Sequence, residues 1–196
     1  DLLKIRGIWG GEELRSMPLF KRAHRRLSWL TINIVLNLVS ATAISMFEGT
    51  LQQVIALAVF LPIISDMSGC SGNQAVAVSL RELTIGVIRP RDLMRVWSKE
   101  VSIGIINGIA VGILLAFVAF VWKSNPWLGG VVGVALAVNT VIAVSVGGLL
   151  PLVLKSLRMD PALSSAPILT TVTDFCGFFL ALSIAHLMLP YISTAT

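Results

Sequence analysis

Apolar residues fall in five long runs separated by short charged segments. Residues 28–47 carry no Asp, Glu, Lys or Arg; residues 49–80 carry only Asp66; residues 101–122 and 126–154 carry none; residues 161–196 carry only Asp174. A helix needs about 20 apolar residues to cross a hydrocarbon core of about 30 Å. Each run reaches that length, so the pattern predicts an all-α polytopic membrane protein with five transmembrane helices. Burying five such helices in a soluble core would demand more polar covering surface than a chain of 196 residues has.

Composition sharpens this. Hydrophobic residues make up 56% of the chain, charged residues 13%, and the mean hydropathy is +0.88. An average soluble domain carries about 25% charged residues, so a disordered chain is excluded. The net charge of +5 matters less than its distribution. Of the 15 Lys and Arg, seven precede the first run, five lie between the second and third, and two between the fourth and fifth. Only Lys123 falls elsewhere. Short basic loops stay on the cytoplasmic side. With five spans, that places the N-terminus inside and the C-terminus outside, in a multi-pass protein of the cell's inner (plasma) membrane. The basic residues are thereby assigned to topology and the bilayer, and no nucleic-acid partner is expected. Trp29, Trp97, Trp122, Trp127 and Tyr191 sit near the span ends, where amphipathic rings anchor at headgroup depth.

Residues 1–26 are charged and amphipathic, and a full-length span follows them rather than the short apolar segment of a signal peptide. They are expected to form a cytoplasmic interfacial or connecting helix over residues 12–26, or else a basic tether, ahead of a pore domain at 27–196. Because the chain opens on Asp1 without Met, it is expected to start inside a longer protein. Cys70 and Cys176 are too far apart for a redox or metal motif and are expected to be buried packing thiols.

Ionisable groups at membrane depth are expensive and are candidates for function. Asp174 lies near mid-span in Thr170-Thr171-Val172-Thr173-Asp174 with no basic residue in its own span. It is a cation ligand, a proton relay or a neutral hydrogen-bonding group. Asp66 follows Pro62 by four residues and precedes Gly69 and Gly72, so the second helix is expected to be kinked or broken there. Such backbone exposes carbonyls to ions, or else eases close packing. Gly104, Gly108, Gly112, Gly129, Gly130 and Gly133 have the spacing of helix packing. His186 stands alone toward the outer end of its span. The polar groups within the spans are hard oxygen donors, which disfavours zinc and copper. Magnesium, bound through few carboxylates with several waters retained, suits one Asp per chain. No constellation of nucleophile and base is readable, so the protein is not expected to be an enzyme.

Two segments carry a resemblance. Gly69-Cys70-Ser71-Gly72-Asn73-Gln74 with Arg81-Glu82-Leu83, and Asp160-Pro161-Ala162 through Ser165-Ala166-Pro167 to Asp174 and Gly177, resemble the signature segments of the MgtE family of magnesium channels. The resemblance covers essentially the whole chain. It implies a homodimer with an ion path along its two-fold axis, lined by the second and fifth helices. It implies that Asp174 holds a largely hydrated magnesium ion, helped by the backbone carbonyl of Thr170, with Gly69 and Asn73 at the polar tip of the second span. Asp66, as a carboxylate at membrane depth, is counted with them as a candidate metal-binding residue. The resemblance further implies upstream cytosolic regulatory domains, with residues 1–26 as the end of a plug-like connection. Cys70 stands where the family has an amide, which leaves manganese or cobalt open beside magnesium. The function expected is a magnesium-selective channel or transporter. The alternatives are a proton-coupled divalent-cation transporter and a membrane module that conducts nothing.

Overall fold

The computed structural model describes residues 18–193. In chain order these form α1 (Leu19–Met46), α2 (Glu48–Gln53), a 3-10 turn (Ile55–Val59), α3 (Leu61–Thr84), a second 3-10 turn (Pro90–Asp92), α4 (Leu93–Lys123), α5 (Pro126–Ser156), α6 (Pro161–Leu187) and α7 (Leu189–Ser193). No strand occurs among the described residues. Five segments are long and apolar enough to cross a membrane: residues 19–46, 55–84, 90–123, 126–156 and 165–187. The expected segment at 1–26 falls largely outside the described residues; from Leu19 onward the chain is already α1, which runs through Arg26 without interruption.

The second span differs from expectation in where it departs from α geometry. α3 is unbroken from Leu61 to Thr84 and passes straight through Gly69 and Gly72. The irregular backbone lies ahead of Pro62, in the 3-10 turn and at Phe60. Proline is tolerated in the first turn of a helix, where its missing N–H would have had no partner, so Pro62 starts α3 rather than bending it. Gly72 is held in the helix by close packing: a Cβ there would lie 2.9 Å from the carbonyl oxygen of Ala143 in α5.

α5 is the centre of the bundle. It is the most buried of the five spans, whereas α1 lies along α6 with most of its surface exposed. Membrane helices gain little from burying apolar surface against one another, so close approach comes from small residues. α4 and α5 meet along such a seam. A Cβ on Gly108 would lie 2.6 Å from the Ala137 carbonyl oxygen, and one on Gly112 would lie 2.7 Å from that of Gly133. One on Gly129 would lie 2.7 Å from that of Ala116, whereas Gly130 faces open space. The packing role expected of these glycines therefore holds for all but Gly130.

The turn between α4 and α5 is short and well capped. Ser124 takes the left-handed conformation (φ 53°), and Asn125 caps α5 by accepting from the Leu128 N–H at 3.1 Å. Its amide donates to the Ile192 carbonyl at 3.1 Å, tying α7 to the same end. Trp122 stacks edge-on with Phe60, and Trp127 packs on Tyr191. Aromatic side chains thus gather at that end, beside Lys123. The last turns of α3 and α5, with Arg81 and Lys155, and the α3–α4 and α5–α6 connections, with Arg89, Arg91 and Arg158, lie at the other.

Candidate functional site

Helical spacing puts polar residues of α3 and α6 on facing sides. On α3, Pro62, Ser65, Asp66, Gly69, Cys70 and Asn73 follow intervals of three and four, so they share one face. On α6, Thr170, Thr173, Asp174 and Phe178 do the same. These residues line a single open groove of about 400 Å3. All five residues singled out from the sequence, Asp174, Thr170, Asn73, Gly69 and Asp66, are in its wall. Asp66, Asn73, Cys70 and Thr170 are exposed there, and Asp174 is half-buried.

The wall is held from behind by a hydrogen-bonded frame. The Ser65 hydroxyl donates to Asp174 Oδ1 across the groove, fixing that carboxylate's orientation. Ser68 lies one turn on, donating to the carbonyls of Ile64 (2.8 Å) and Ser65 (3.0 Å) while accepting from Asn139 Nδ2 at 2.6 Å. The same Nδ2 donates to the Thr173 carbonyl at 3.0 Å. Asn139 is fully buried in α5, so one amide joins three helices directly beneath Asp174. Gly177 permits this approach: a Cβ there would lie 2.7 Å from Asn139 Nδ2. The amide's acceptor, Oδ1, is buried and has no hydrogen-bond partner among the described residues.

Two expectations change in detail. Cys70, read as a buried packing thiol, is exposed in the groove, while Cys176 is half-buried. α3 stays helical past Gly69 and Gly72, so helical spacing rather than a frayed tip brings Gly69 and Asn73 to the groove. The Thr170 carbonyl accepts the Thr173 hydroxyl at 3.0 Å, and the Thr170 hydroxyl itself donates to the Ala166 carbonyl at 3.0 Å. His186 faces Thr50 instead, with Nδ1 and Oγ1 2.9 Å apart.

Ser65, Ser68, Thr173 and Asn139 were not picked out from the sequence. Asn139 had a signal: it is the single amide in the charge-free run 126–154. The donors in the groove wall are carboxylate, amide and hydroxyl oxygens with one sulfur, and among the described residues no Lys or Arg lines it. Among the described residues no three His, Cys, Asp or Glu side chains cluster as a metal cage. The arrangement suits a cation that keeps most of its water.

Five helices able to span a bilayer, with a carboxylate-bearing groove between two of them, define a polytopic α-helical membrane protein. The family model described as a divalent cation transporter, MgtE, matches residues 61–184. The chain is 36% identical over 163 residues to the magnesium transporter MgtE of Bacillus subtilis (strain 168), covering 83% of this chain and 36% of that protein. It is 36% identical over 164 residues to the magnesium transporter MgtE of Thermus thermophilus, covering 84% and 36%. With that of Enterococcus faecalis it shares 32% over 180 residues, covering 92% and 40%. The chain belongs to the MgtE family of divalent cation transporters. It spans little more than a third of the length of these curated relatives.

Proposed function

We propose that this chain is the ion-conducting part of a magnesium transporter, in which the α3–α6 groove passes hydrated divalent cations and is completed by the same groove of a second copy about a two-fold axis. The observation that carries this reading is the convergence of Asp174, Asp66, Thr170, Asn73 and Gly69 on one open groove, which no basic side chain lines among the described residues. Six waters at about 30 Å3 each occupy roughly 180 Å3. The groove, at about 400 Å3, has room for such a hydrated ion. Asp174, oriented by Ser65, attracts it through its waters, and Asp66 adds a second negative charge nearby. The groove carries one soft donor, Cys70, so manganese and cobalt remain substrates beside magnesium.

With the basic end of the bundle inside, an inside-negative potential drives entry. It supplies about 2.3 kcal/mol per elementary charge per 100 mV, and twice that for a divalent ion. Residues 1–26 then lead to upstream cytosolic domains that regulate the pore.

The test is magnesium flux into liposomes holding the purified chain, wild type beside Asp174→Ala, with and without an imposed proton gradient. Flux that follows membrane potential, ignores the proton gradient and disappears in Asp174→Ala supports the channel. Flux that requires the proton gradient supports the coupled transporter. Parental flux in Asp174→Ala removes Asp174 from the site, and no flux in either protein removes the conducting role from this chain alone.

A further inference from the structure

Another cavity, of about 220 Å3, opens between the last turns of α3 and the first turns of α4, away from the groove. It straddles a boundary in the sequence. Val78 and Ile103 in its wall belong to the apolar runs 49–80 and 101–122, whereas Glu82, Arg95, Lys99 and Glu100 in the same wall lie outside both. A membrane helix passes from hydrocarbon to headgroups where its apolar run ends, so the cavity sits at headgroup depth.

Its charges are two carboxylates and two cations, a net of zero. Glu100 is half-buried and pressed against α5 at Gly148, where an added Cβ would lie 2.5 Å from Glu100 Cγ. Glu82, also half-buried, lines the same cavity. Two neighbouring carboxylates partly withdrawn from water favour a cation between them. A bare metal ion there would also meet Arg95 and Lys99, and a bare anion would meet both glutamates. A ligand carrying both charges a few bonds apart satisfies all four side chains. A primary ammonium offers three N–H donors to carboxylates, whereas a quaternary ammonium offers none.

We infer that this cavity takes a phosphoethanolamine group, the headgroup of a zwitterionic aminophospholipid, with its ammonium at Glu82 and Glu100 and its phosphate at Arg95 and Lys99. At this depth the glycerol and acyl chains continue along Val78 and Ile103 toward the hydrocarbon.

The inference is tested by native mass spectrometry of the purified full chain with phosphatidylethanolamine, phosphatidylcholine and phosphatidylglycerol of the same acyl chains. Phosphatidylethanolamine is expected to be retained at least about fivefold over the other two. In the double variant Glu82→Gln, Glu100→Gln its retention falls to that of phosphatidylcholine. In Arg95→Gln, Lys99→Gln it falls by about as much. Glu82→Gln alone serves where the double variant does not give a monodisperse, thermally folded protein, and it too must narrow the preference. Displacement by free phosphoethanolamine assigns the binding to the headgroup alone. Persistence of the preference against that competitor assigns it to the intact lipid. Equal retention of all three lipids by the wild type, or a preference that survives the glutamate variants, overturns the inference.

Discussion

The Nδ2 of Asn139 donates to the carbonyl oxygen of Thr173 at 3.0 Å, one residue before Asp174. Through the same atom it also holds Ser68, three residues after the serine that orients the Asp174 carboxylate. The groove wall therefore has its spacing set from the buried side of the bundle. Asn139→Leu removes both hydrogen bonds and leaves buried acceptors unpaired. It is expected to cost about 1–2 kcal/mol of stability, as hydrogen bonds between membrane helices do. Magnesium flux should fall further than that loss of folded protein explains. Thermal unfolding in detergent beside flux per folded molecule checks both.

Ser65→Ala tests the frame from the other side. The variant keeps Asp174 and loses only the hydroxyl that orients it. Hydrogen bonds to charged groups contribute about 1.5–3 kcal/mol of stability, so the melting temperature should fall accordingly. With the carboxylate no longer oriented, half-saturating magnesium should also rise, by about tenfold per folded molecule. An unchanged magnesium dependence would show that the Asp174 carboxylate needs no fixed orientation.

Cys70 gives a direct probe of whether the groove is watery in the membrane. A positively charged, membrane-impermeant methanethiosulfonate should modify Cys70 before the half-buried Cys176. The attached cation should reduce magnesium flux, with magnesium slowing the modification. Cys70→Ser should conduct and resist the reagent. Equal labelling of the two cysteines in intact vesicles would contradict the groove's exposure.

The helix seam offers a contrast within one helix. Gly133→Ala would place its Cβ 2.6 Å from the carbonyl oxygen of Gly112, backbone that cannot turn aside. Overpacking of this kind costs about 1–3 kcal/mol. Gly130→Ala meets nothing within 4 Å and should change stability by no more than about 0.5 kcal/mol. Melting temperatures of the two single variants measure the difference.

The spans were legible because membrane depth leaves so few choices. Every backbone polar group must be satisfied within the segment, so length and missing charge fix a helix. Asp174 and Asp66 were legible for the same reason, as charges where charge is costly. The behaviour of α3 was harder to read. Pro62 and the glycines suggest a break when taken alone, and only the carbonyl of Ala143 against Gly72 explains why the helix continues. Cys70 misled in a similar way. Its apolar neighbours suggested burial, but intervals of three and four from Asp66 and Asn73 turn it to the groove. Asn139 belongs to the groove only through contacts with residues more than thirty positions away in each direction, which no local pattern encodes.

The two-residue turn at Ser124 and Asn125, with the glycine seam beyond it, has a consequence for how the protein is made. α4 and α5 are adjacent in the chain, antiparallel, and matched backbone to backbone before any other helix is required. During synthesis they can enter the membrane as one preassembled hairpin. The groove helices, which come from opposite sides of that hairpin in the sequence, then have a finished surface to close on.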